Sequence, residues 1–269
     1  MTTGEPLLST IESGVLTLTL NRPDRGNAWN GAMRRRYFAE LEKAARSPDV
    51  RAIVVTGAGR AFCVGGDPED VAGVAGSRAI ADGQDKPYWF PYSVGKPLIA
   101  AINGACFGIG MQQAMCCDIR FASEDAKFST AYAKRGLVAE MGLSWLLPRL
   151  VGMGHAMDLL LSARLVRASE ALGMGLINKV VPPAELLVKA TAYARSLVES
   201  CSPTAMRAIK LQTVLDLTAT LPEAYARAQA MLDVAIQNAD FSEGVASWHE
   251  ARPPRFAGLA PELGLLDLD

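Results

Sequence analysis

The first half of the chain alternates between a strand pattern and a helix pattern. Residues 14–20 (GVLTLTL) alternate apolar and polar side chains, which is typical of a half-buried strand, and the Asn-Arg-Pro sequence at 21–23 ends it. Residues 29–46 then carry apolar side chains at helical spacing with charged residues on the other face. This predicted helix stops before the Ser-Pro sequence at 47–48.

Three short apolar runs indicate further strands. Residues 52–56 (AIVVT) and 97–103 (PLIAAIN) are almost continuously apolar, as in strands buried on both faces, and residues 119–122 (IRFA) form a third run. Because strands and crossover segments recur in this order, the sequence predicts an α/β fold with a substantial parallel sheet.

The pattern becomes helical from about Ser169 onward. Prolines at 182, 183, 203 and 222 punctuate this part, and the last two stand where helices usually begin. We therefore predict an α/β core over residues 1–165 and a helical C-terminal region over residues 166–269.

Composition and charge restrict the partners. Half of the 269 residues are hydrophobic and 20% are charged, so the chain can bury a sizeable core and is not predicted to be disordered. Lys plus Arg is 27 and Asp plus Glu is 28, which gives a formal charge of −1. Neither nucleic acid nor an anionic membrane surface is an expected partner. Residues 97–117 are uncharged, but Asn103, Gln112 and Gln113 favour burial inside a protein over a membrane span.

The cysteines and histidines indicate neither a disulfide framework nor a metal site. The five cysteines form no Cys-x-x-Cys pair, and adjacent Cys116 and Cys117 would make a strained ring if bridged, so reduced thiols in a cytoplasmic protein are expected. The first residues lack the basic and apolar pattern of a targeting segment. His155 and His249 have no partner at metal-ligand spacing, and we expect structural or surface roles for them and no bound metal.

Two glycine-rich segments follow predicted strands, at 57–67 (GAGRAFCVGGD) and 104–110 (GACFGIG). Glycines allow sharp turns and close approach of a ligand to backbone N–H groups, and a helix starting at the second segment would add its positive end. Such loops can build an oxyanion hole, although the glycines could equally serve tight turns alone. A dinucleotide-binding fingerprint fits worse, because Gln113 stands where the third glycine is needed.

Six segments spread along almost the whole chain carry distinctive motifs: LTLNRPDRGNAWN (18–30), GAGRAFCVGGD (57–67), KPLIAAINGACFGIGMQQAMCCDIRFAS (96–123), SWLLPRLVG (144–152), ASEALGMGLINKVVP (168–182) and SEGVASWHEARPPRFAG (242–258). In this order they resemble the crotonase family, also called the enoyl-CoA hydratase/isomerase family. The resemblance implies a crotonase-like spiral of ββα units, a helical C-terminal trimerisation region and an acyl-CoA substrate. It implies no separate cofactor, because CoA enters as part of the substrate thioester, and it implies a homotrimer or a hexamer.

Residue by residue, the resemblance places the two N–H groups of an oxyanion hole at Gly66 and Ile109. Ile109 replaces a glycine that is usual in relatives, but only its main chain is needed. The residues expected to contact the CoA thioester are Val64, Gly65, Gly66, Asp67, Pro68, Gly108 and Ile109.

The acid and base positions depart from the family pattern. Family hydratases use two glutamates to position and deprotonate water, and the matching positions hold Gln112 and Tyr132. Gln112 can hold a water but cannot take its proton, and a tyrosine is a poor base at neutral pH. The resemblance therefore still places Gln112 and Tyr132 in the active site. The two-glutamate hydration mechanism, however, is not expected for this sequence.

Glu140 is the remaining candidate acid/base, because some isomerases of the family have an active-site carboxylate at the matching position. Its apolar neighbours would raise the carboxyl pKa. The alternative is a glutamate that only stabilises a helix start. The leading hypothesis is an acyl-CoA enzyme that isomerises a double bond through a thioester enolate. A hydratase with a non-standard water site and a non-catalytic CoA-binding protein are the alternatives.

Overall fold

The computed structural model describes residues 4–73 and 86–268. These residues form two β-sheets and the helices that connect and cover the sheets. The strands are β1 Leu7–Glu12, β2 Val15–Leu20, β3 Ala52–Gly57, β4 Ala61–Cys63, β5 Leu98–Ile102, β6 Ala105–Phe107, β7 Ile119–Ser123, β8 Lys127–Ser129, β9 Val166–Arg167 and β10 Lys179–Val181. The helices are α1 Gly31–Arg46, α2 Pro68–Gly73, α3 Ile109–Met115, α4 Leu143–Ser162, α5 Ala168–Gly173, α6 Leu186–Ser200, α7 Pro203–Leu215, α8 Leu221–Ala235 and α9 Ala239–His249.

The strands follow a repeating ββα order that winds between the two sheets. The larger sheet has the order β1-β2-β3-β5-β7-β10 and is parallel except for β1, while the smaller sheet has the order β4-β6-β8-β9 with β9 antiparallel. From β3 to β8, each pair of strands therefore gives one strand to each sheet before the next helix, whereas β9 and β10 lie on either side of α5. This arrangement confirms the predicted α/β fold and its spiral of ββα units.

Alternating side chains of the buried strands fill the space on both faces of the larger sheet. In β3, Ile53 and Val55 belong to the apolar cluster that includes α1, whereas Ala52 and Val54 belong to the cluster that includes α6. Because successive side chains of a strand point to opposite faces, a continuous apolar run is required where both faces are covered. The runs in β3 and β5 are explained by this double burial.

Helix α1 begins two residues later than the sequence pattern predicts. The side chain of Asn30 accepts a hydrogen bond from the N–H of Met33 (2.9 Å) and caps the helix at Gly31. Trp29, the predicted first residue, is extended and forms a parallel bridge with Gly66. The predicted helix was therefore wrong at its start, because Trp29 pairs with a distant glycine loop.

The predicted division at residue 165 does not separate the sheets from the helices. Strand β9 pairs with β8, and β10 pairs with β7 at the edge of the larger sheet. Helix α6 packs on that sheet through Ala190, Ala194 and Val198. The continuous helical part begins only at α6, and the separate functional role of residues 166–269 stays a prediction.

A buried lysine closes the C-terminal end of α1. Lys96 is 2% exposed, and its ammonium group donates hydrogen bonds to the carbonyl oxygens of Ala44 (2.7 Å) and Ser47 (2.6 Å). We expect Lys96→Met to lower the free energy of unfolding by about 2 kcal/mol, because those oxygens lose a charged donor. Denaturant unfolding would measure this loss. Lys43→Met, at an exposed position of the same helix, is the control, and an equal change in both variants would contradict the prediction.

The uncharged stretch at 97–117 folds as β5, β6 and α3. Among the described residues, no helix has both the length and the apolar character needed to cross a membrane.

Candidate active site

The first glycine loop follows β4 and is joined by main-chain hydrogen bonds to the segment before α1. The N–H of Trp29 donates to the carbonyl of Gly65 (2.7 Å), and the N–H of Asp67 donates to the carbonyl of Trp29 (2.8 Å). This bridge uses the carbonyl of Gly65 and the N–H of Asp67. The N–H of Gly66, which lies between them in the chain, therefore points to the side away from Trp29. Gly65 has a φ of 112°, a conformation that favours glycine.

The second glycine loop connects β6 to α3. Gly108 has a φ of 50°, and its N–H donates to the carbonyl of Ser129 (3.0 Å). Ile109 is the first residue of α3, so its N–H has no acceptor within the helix. A Cβ atom on Gly110 would overlap the carbonyl oxygen of Cys63, so only a glycine lets α3 begin so close to β4. Close packing of α3 against β4 therefore explains the glycine at position 110.

A cavity of about 90 Å³ brings most of the predicted site residues together. Both proposed oxyanion residues, the candidate acid/base and the tyrosine line it. Its lining residues are Val64, Gly65, Gly66, Val71, Gly108, Ile109, Ala131, Tyr132, Arg135, Leu137 and Glu140. Residues from three separate segments, 64–71, 108–109 and 131–140, therefore form one site.

A larger cavity of about 510 Å³ adjoins the first and shares Val64, Gly66, Val71 and Arg135 with it. Pro68 lines this cavity, as does Arg25, which also pairs with the exposed Glu69 (3.1 Å). The two arginines are cavity residues that our sequence reasoning missed. The signal for Arg25 was its place in the 18–30 motif, whereas nothing in the sequence pattern distinguishes Arg135.

Glu140 lies in a turn that precedes α4. It is partly buried, and burial raises the pKa of its carboxyl above the ordinary value for glutamate. Its carbonyl accepts the N–H of Leu143 (3.0 Å), and the next residue, Met141, has a left-handed backbone with a φ of 56°. Strained main-chain conformations of this kind concentrate at functional sites.

Tyr132 is 5% exposed and lines the same cavity as Glu140. Its hydroxyl is buried and has no hydrogen-bond partner among the residues that the structure describes. Burial raises the pKa of Tyr132 well above its usual range, and the nearby Glu140 carboxylate raises it further. The hydroxyl is therefore protonated and can donate a hydrogen bond but cannot act as a base at neutral pH.

Gln112 does not line either cavity described above. The residue is completely buried, and its Nε2 donates to the carbonyl of Met141 (3.0 Å) and to that of Tyr88 (3.3 Å). Its Oε1 accepts a hydrogen bond from Gln113 (2.6 Å). The polar atoms of Gln112 are thus occupied by the protein itself, and its role as a residue that holds water stays a prediction.

Asp67 is buried beside Arg22, with 2.8 Å between the charged groups, and its carboxylate accepts the N–H of Glu69 at the start of α2 (3.1 Å). Burial raises the pKa of Asp67, but the bonds from Arg22 and Glu69 lower it more, so the carboxyl is ionised. These bonds give Asp67 a structural role in holding the glycine loop. Its predicted contact with CoA stays a prediction.

The cysteine of the first glycine segment, the two histidines and the aromatic segment at 88–92 do not line the smaller cavity. Cys63 is fully buried, and burial raises the pKa of its thiol to about 12, which opposes a role as nucleophile. Both histidines, His155 and His249, are exposed, and the described residues contain no cluster that could hold a metal ion. In the aromatic segment at 88–92, the ring of Tyr88 packs edge-on against Phe38.

Comparison with known proteins identifies the family. A sequence model described as enoyl-CoA hydratase/isomerase matches residues 10–259. A probable enoyl-CoA hydratase of Rhodobacter capsulatus is 38% identical over 250 residues, which cover 92% of this chain and 96% of that protein. The 1,2-epoxyphenylacetyl-CoA isomerase of Escherichia coli is 34% identical over 267 residues, covering 94% of this chain and 99% of that protein.

The architecture also matches solved structures. The crystal structure of a probable enoyl-CoA hydratase/isomerase from Mycobacterium abscessus superposes with a TM-score of 0.86 at 30% identity, covering 94% of this chain and 99% of the other. The two-sheet spiral is therefore the crotonase fold. The chain belongs to the enoyl-CoA hydratase/isomerase family.

Proposed function

We propose that the protein is an acyl-CoA enzyme that isomerises a double bond through a thioester enolate, with Glu140 as the acid/base. The observation that carries this proposal is the shared cavity, where Glu140 lies with Gly66, Ile109 and Tyr132. One carboxylate that takes a proton from one carbon and returns it to another is sufficient for isomerisation.

In this mechanism the thioester carbonyl oxygen binds between the N–H groups of Gly66 and Ile109. Removal of the α-proton by Glu140 places negative charge on that oxygen, and fixed amide dipoles stabilise the charge by about 3 kcal/mol per donor. The protonated Glu140 then returns the proton to the γ-carbon, and the double bond moves into conjugation with the thioester. The raised pKa of Glu140 suits a group that both accepts and donates the proton.

The larger cavity offers room for the CoA part of the substrate. Its volume of about 510 Å³ lies within the range of small-molecule sites, and Arg25 and Arg135 supply positive charge for phosphate groups. Val64 and Pro68 line it together with Gly66, as expected for the segment that follows β4. CoA would enter as part of the substrate, and the proposal needs no further cofactor.

Hydration is the competing reaction, and hydratase names are frequent among the relatives, including the (E)-benzylidenesuccinyl-CoA hydratase of Thauera aromatica. The site geometry favours isomerisation, because Gln112 bonds to main-chain carbonyls and the Tyr132 hydroxyl is not basic. These residues leave Glu140 as the one carboxylate among the residues that line the smaller cavity in the described structure.

The proposal is tested by incubating the protein in D₂O with β,γ-enoyl-CoA and α,β-enoyl-CoA thioesters of several chain lengths. We expect double-bond migration and deuterium incorporation at the α- and γ-carbons, measured by mass spectrometry and NMR. Water addition without migration would favour the hydratase. Binding of the thioesters with neither reaction would favour a non-catalytic CoA-binding protein.

Tyr132→Phe is expected to lower kcat by less than about tenfold, since the hydroxyl orients substrate or Glu140 and transfers no proton. Steady-state isomerisation kinetics would measure the change, with Tyr92→Phe as the control at a half-buried tyrosine that does not line the smaller cavity. A loss of about 10³-fold in Tyr132→Phe would instead make this hydroxyl an acid in the reaction.

We also propose a homotrimer or a hexamer. Many large apolar side chains remain exposed on α4 and on the C-terminal helices, and exposed apolar patches mark sites of protein–protein contact. Leu186, the first residue of α6, does not belong to this exposed set and is buried within its own chain. Sedimentation is expected to show a trimer or larger, and a stable monomer at micromolar concentration would contradict this. The exposed side chains include Met153, Met157, Leu161, Ile209, Leu221, Tyr225, Val234, Phe241 and Trp248.

A further inference from the structure

Two adjacent glutamines of α3 form a buried amide network beneath the turn that carries Glu140. Gln112 is 0% exposed and Gln113 is 3% exposed. Gln113 donates from Nε2 to the Oε1 of Gln112 (2.6 Å) and to the carbonyl of Tyr88 (2.9 Å). Gln112 donates from Nε2 to the same Tyr88 carbonyl (3.3 Å) and to the carbonyl of Met141 (3.0 Å). The network thus joins α3 to two segments that are 24 and 29 residues away from Gln112 in sequence.

The hydrogen bond from Gln112 reaches the carbonyl of Met141, which is the residue directly after Glu140. Met141 has a φ of 56°, a conformation that is costly for a residue with a side chain, and Gly142 follows with a φ of 80°. Such a turn persists where the surrounding structure holds it in place. The hydrogen bond from Gln112 holds the carbonyl of this turn, and the turn directs the Glu140 side chain.

The chemistry of the contact requires a donor at position 112. The carbonyl groups of Met141 and Tyr88 are both acceptors, and an ionised carboxylate offers only acceptors. A glutamate at this position would place its charge against two carbonyl oxygens in a buried site, and a free energy penalty would follow. The amide of Gln112 donates its N–H groups to the two carbonyl oxygens, and its own oxygen accepts a hydrogen bond from the side chain of Gln113.

We propose that Gln112 is a positioning residue that holds Glu140 over the substrate by anchoring the left-handed turn at Met141. The inference rests on the proposed function, because it assigns the proton transfer to Glu140. Gln112 itself touches neither substrate nor water in this role. The residue at the position of a family glutamate therefore has a structural contact that the carboxylate could not make.

The first test compares Gln112→Met with Gln113→Met. Methionine keeps the length and burial of the side chain but removes its hydrogen bonds. We expect Gln112→Met to lower kcat by about 10- to 100-fold, because small displacements of a catalytic group are costly, while KM and the Kd for the acyl-CoA thioester stay unchanged. Gln113→Met is the matched control, since it removes a neighbouring amide from the same helix but leaves the bond to Met141 in place. Equal losses in both variants would overturn the assignment.

Gln112→Glu adds a readout that loss of packing alone would not produce. The introduced carboxyl can donate one hydrogen bond to Met141 when protonated and none when ionised. We expect its kcat to fall at alkaline pH, whereas the wild-type protein stays active there because Glu140 remains ionised. The thiol of Cys116, 3.3 Å from the Gln112 amide, has a pKa that burial raises to about 12 and does not titrate in this range. An alkaline profile identical to the wild type would overturn the proposal.

A crystal structure of Gln112→Met separates this inference from the proposed function. If the wild-type protein moves no proton on any acyl-CoA, the proposed function fails, and the structure alone decides the positioning role. A change in the backbone at Met141 with displacement of Glu140 would support that role. An unchanged turn with Glu140 in its wild-type position would overturn it.

Discussion

Glu140→Gln is expected to lower the rate of double-bond migration by about 10²-fold or more. Glutamine keeps the size of the side chain but cannot accept a proton from carbon. Calorimetric titration with the thioester should give nearly the same Kd as wild type, because the N–H groups of Gly66 and Ile109 and the larger cavity are unchanged. Isomerisation kinetics and deuterium exchange would measure the effect.

The pH profile and the stability of this variant distinguish catalysis from a role at the helix start. Because burial raises the pKa of Glu140, wild-type activity should fall on the acidic side at a pH above the ordinary range for glutamate. A residue that only stabilised α4 would change the free energy of unfolding by about 0.3–1 kcal/mol and leave turnover intact. Glu124→Gln, at an exposed turn, is the control. Full activity in Glu140→Gln would end the assignment.

Gly110→Ala should also lower activity by about 10²-fold, although residue 110 carries no chemical group of its own. The added methyl group would overlap the carbonyl oxygen and the Cβ of Cys63, so the start of α3 has to move away from β4. This movement separates the Ile109 N–H from that of Gly66. We expect both a lower kcat and a loss of about 1–3 kcal/mol in the free energy of unfolding from overpacking.

Gly154→Ala is the matched control for this substitution. Gly154 lies within α4, and a Cβ atom built there meets nothing within 4 Å. Gly154 lies two residues after Gly152, where α4 is interrupted by a non-helical backbone (φ 76°, ψ 160°), so we expect alanine at position 154 to cause no loss of stability and no change in activity. If Gly110→Ala keeps wild-type activity and stability, the close packing of α3 against β4 does not set the geometry of the site.

The longer elements of the fold could be predicted because their side-chain patterns reflect burial directly. Strands β3 and β5 were recognisable as apolar runs, and α1 as a helical pattern. Strands β4, β6 and β8 have three residues each, too few to show a period of two, and their pairing is set by the neighbouring strands. The start of α1 was misplaced because the conformation of Trp29 depends on a bridge to Gly66.

The candidate site was predictable where a motif marks it and unpredictable where distant segments meet. Gly66 and Ile109 follow from the glycine segments and the family resemblance, and Glu140 follows from the same alignment. The contact between Gln112 and Met141 joins residues 29 positions apart and leaves no local pattern. Arg135 was missed for a similar reason, since it reaches the cavity only through the fold of the segment between β8 and α4.

The bridge between Trp29 and Gly66 has a consequence for how the protein can change during evolution. In our proposal the groups that activate the thioester belong to the main chain, and the bonds that hold them join one backbone segment to another. Replacement of surrounding side chains therefore leaves the activation in place. The acid/base residue lies on a separate segment, 131–140, so substitutions there can exchange one reaction for another while the main-chain stabilisation of negative charge on the thioester oxygen is inherited unchanged.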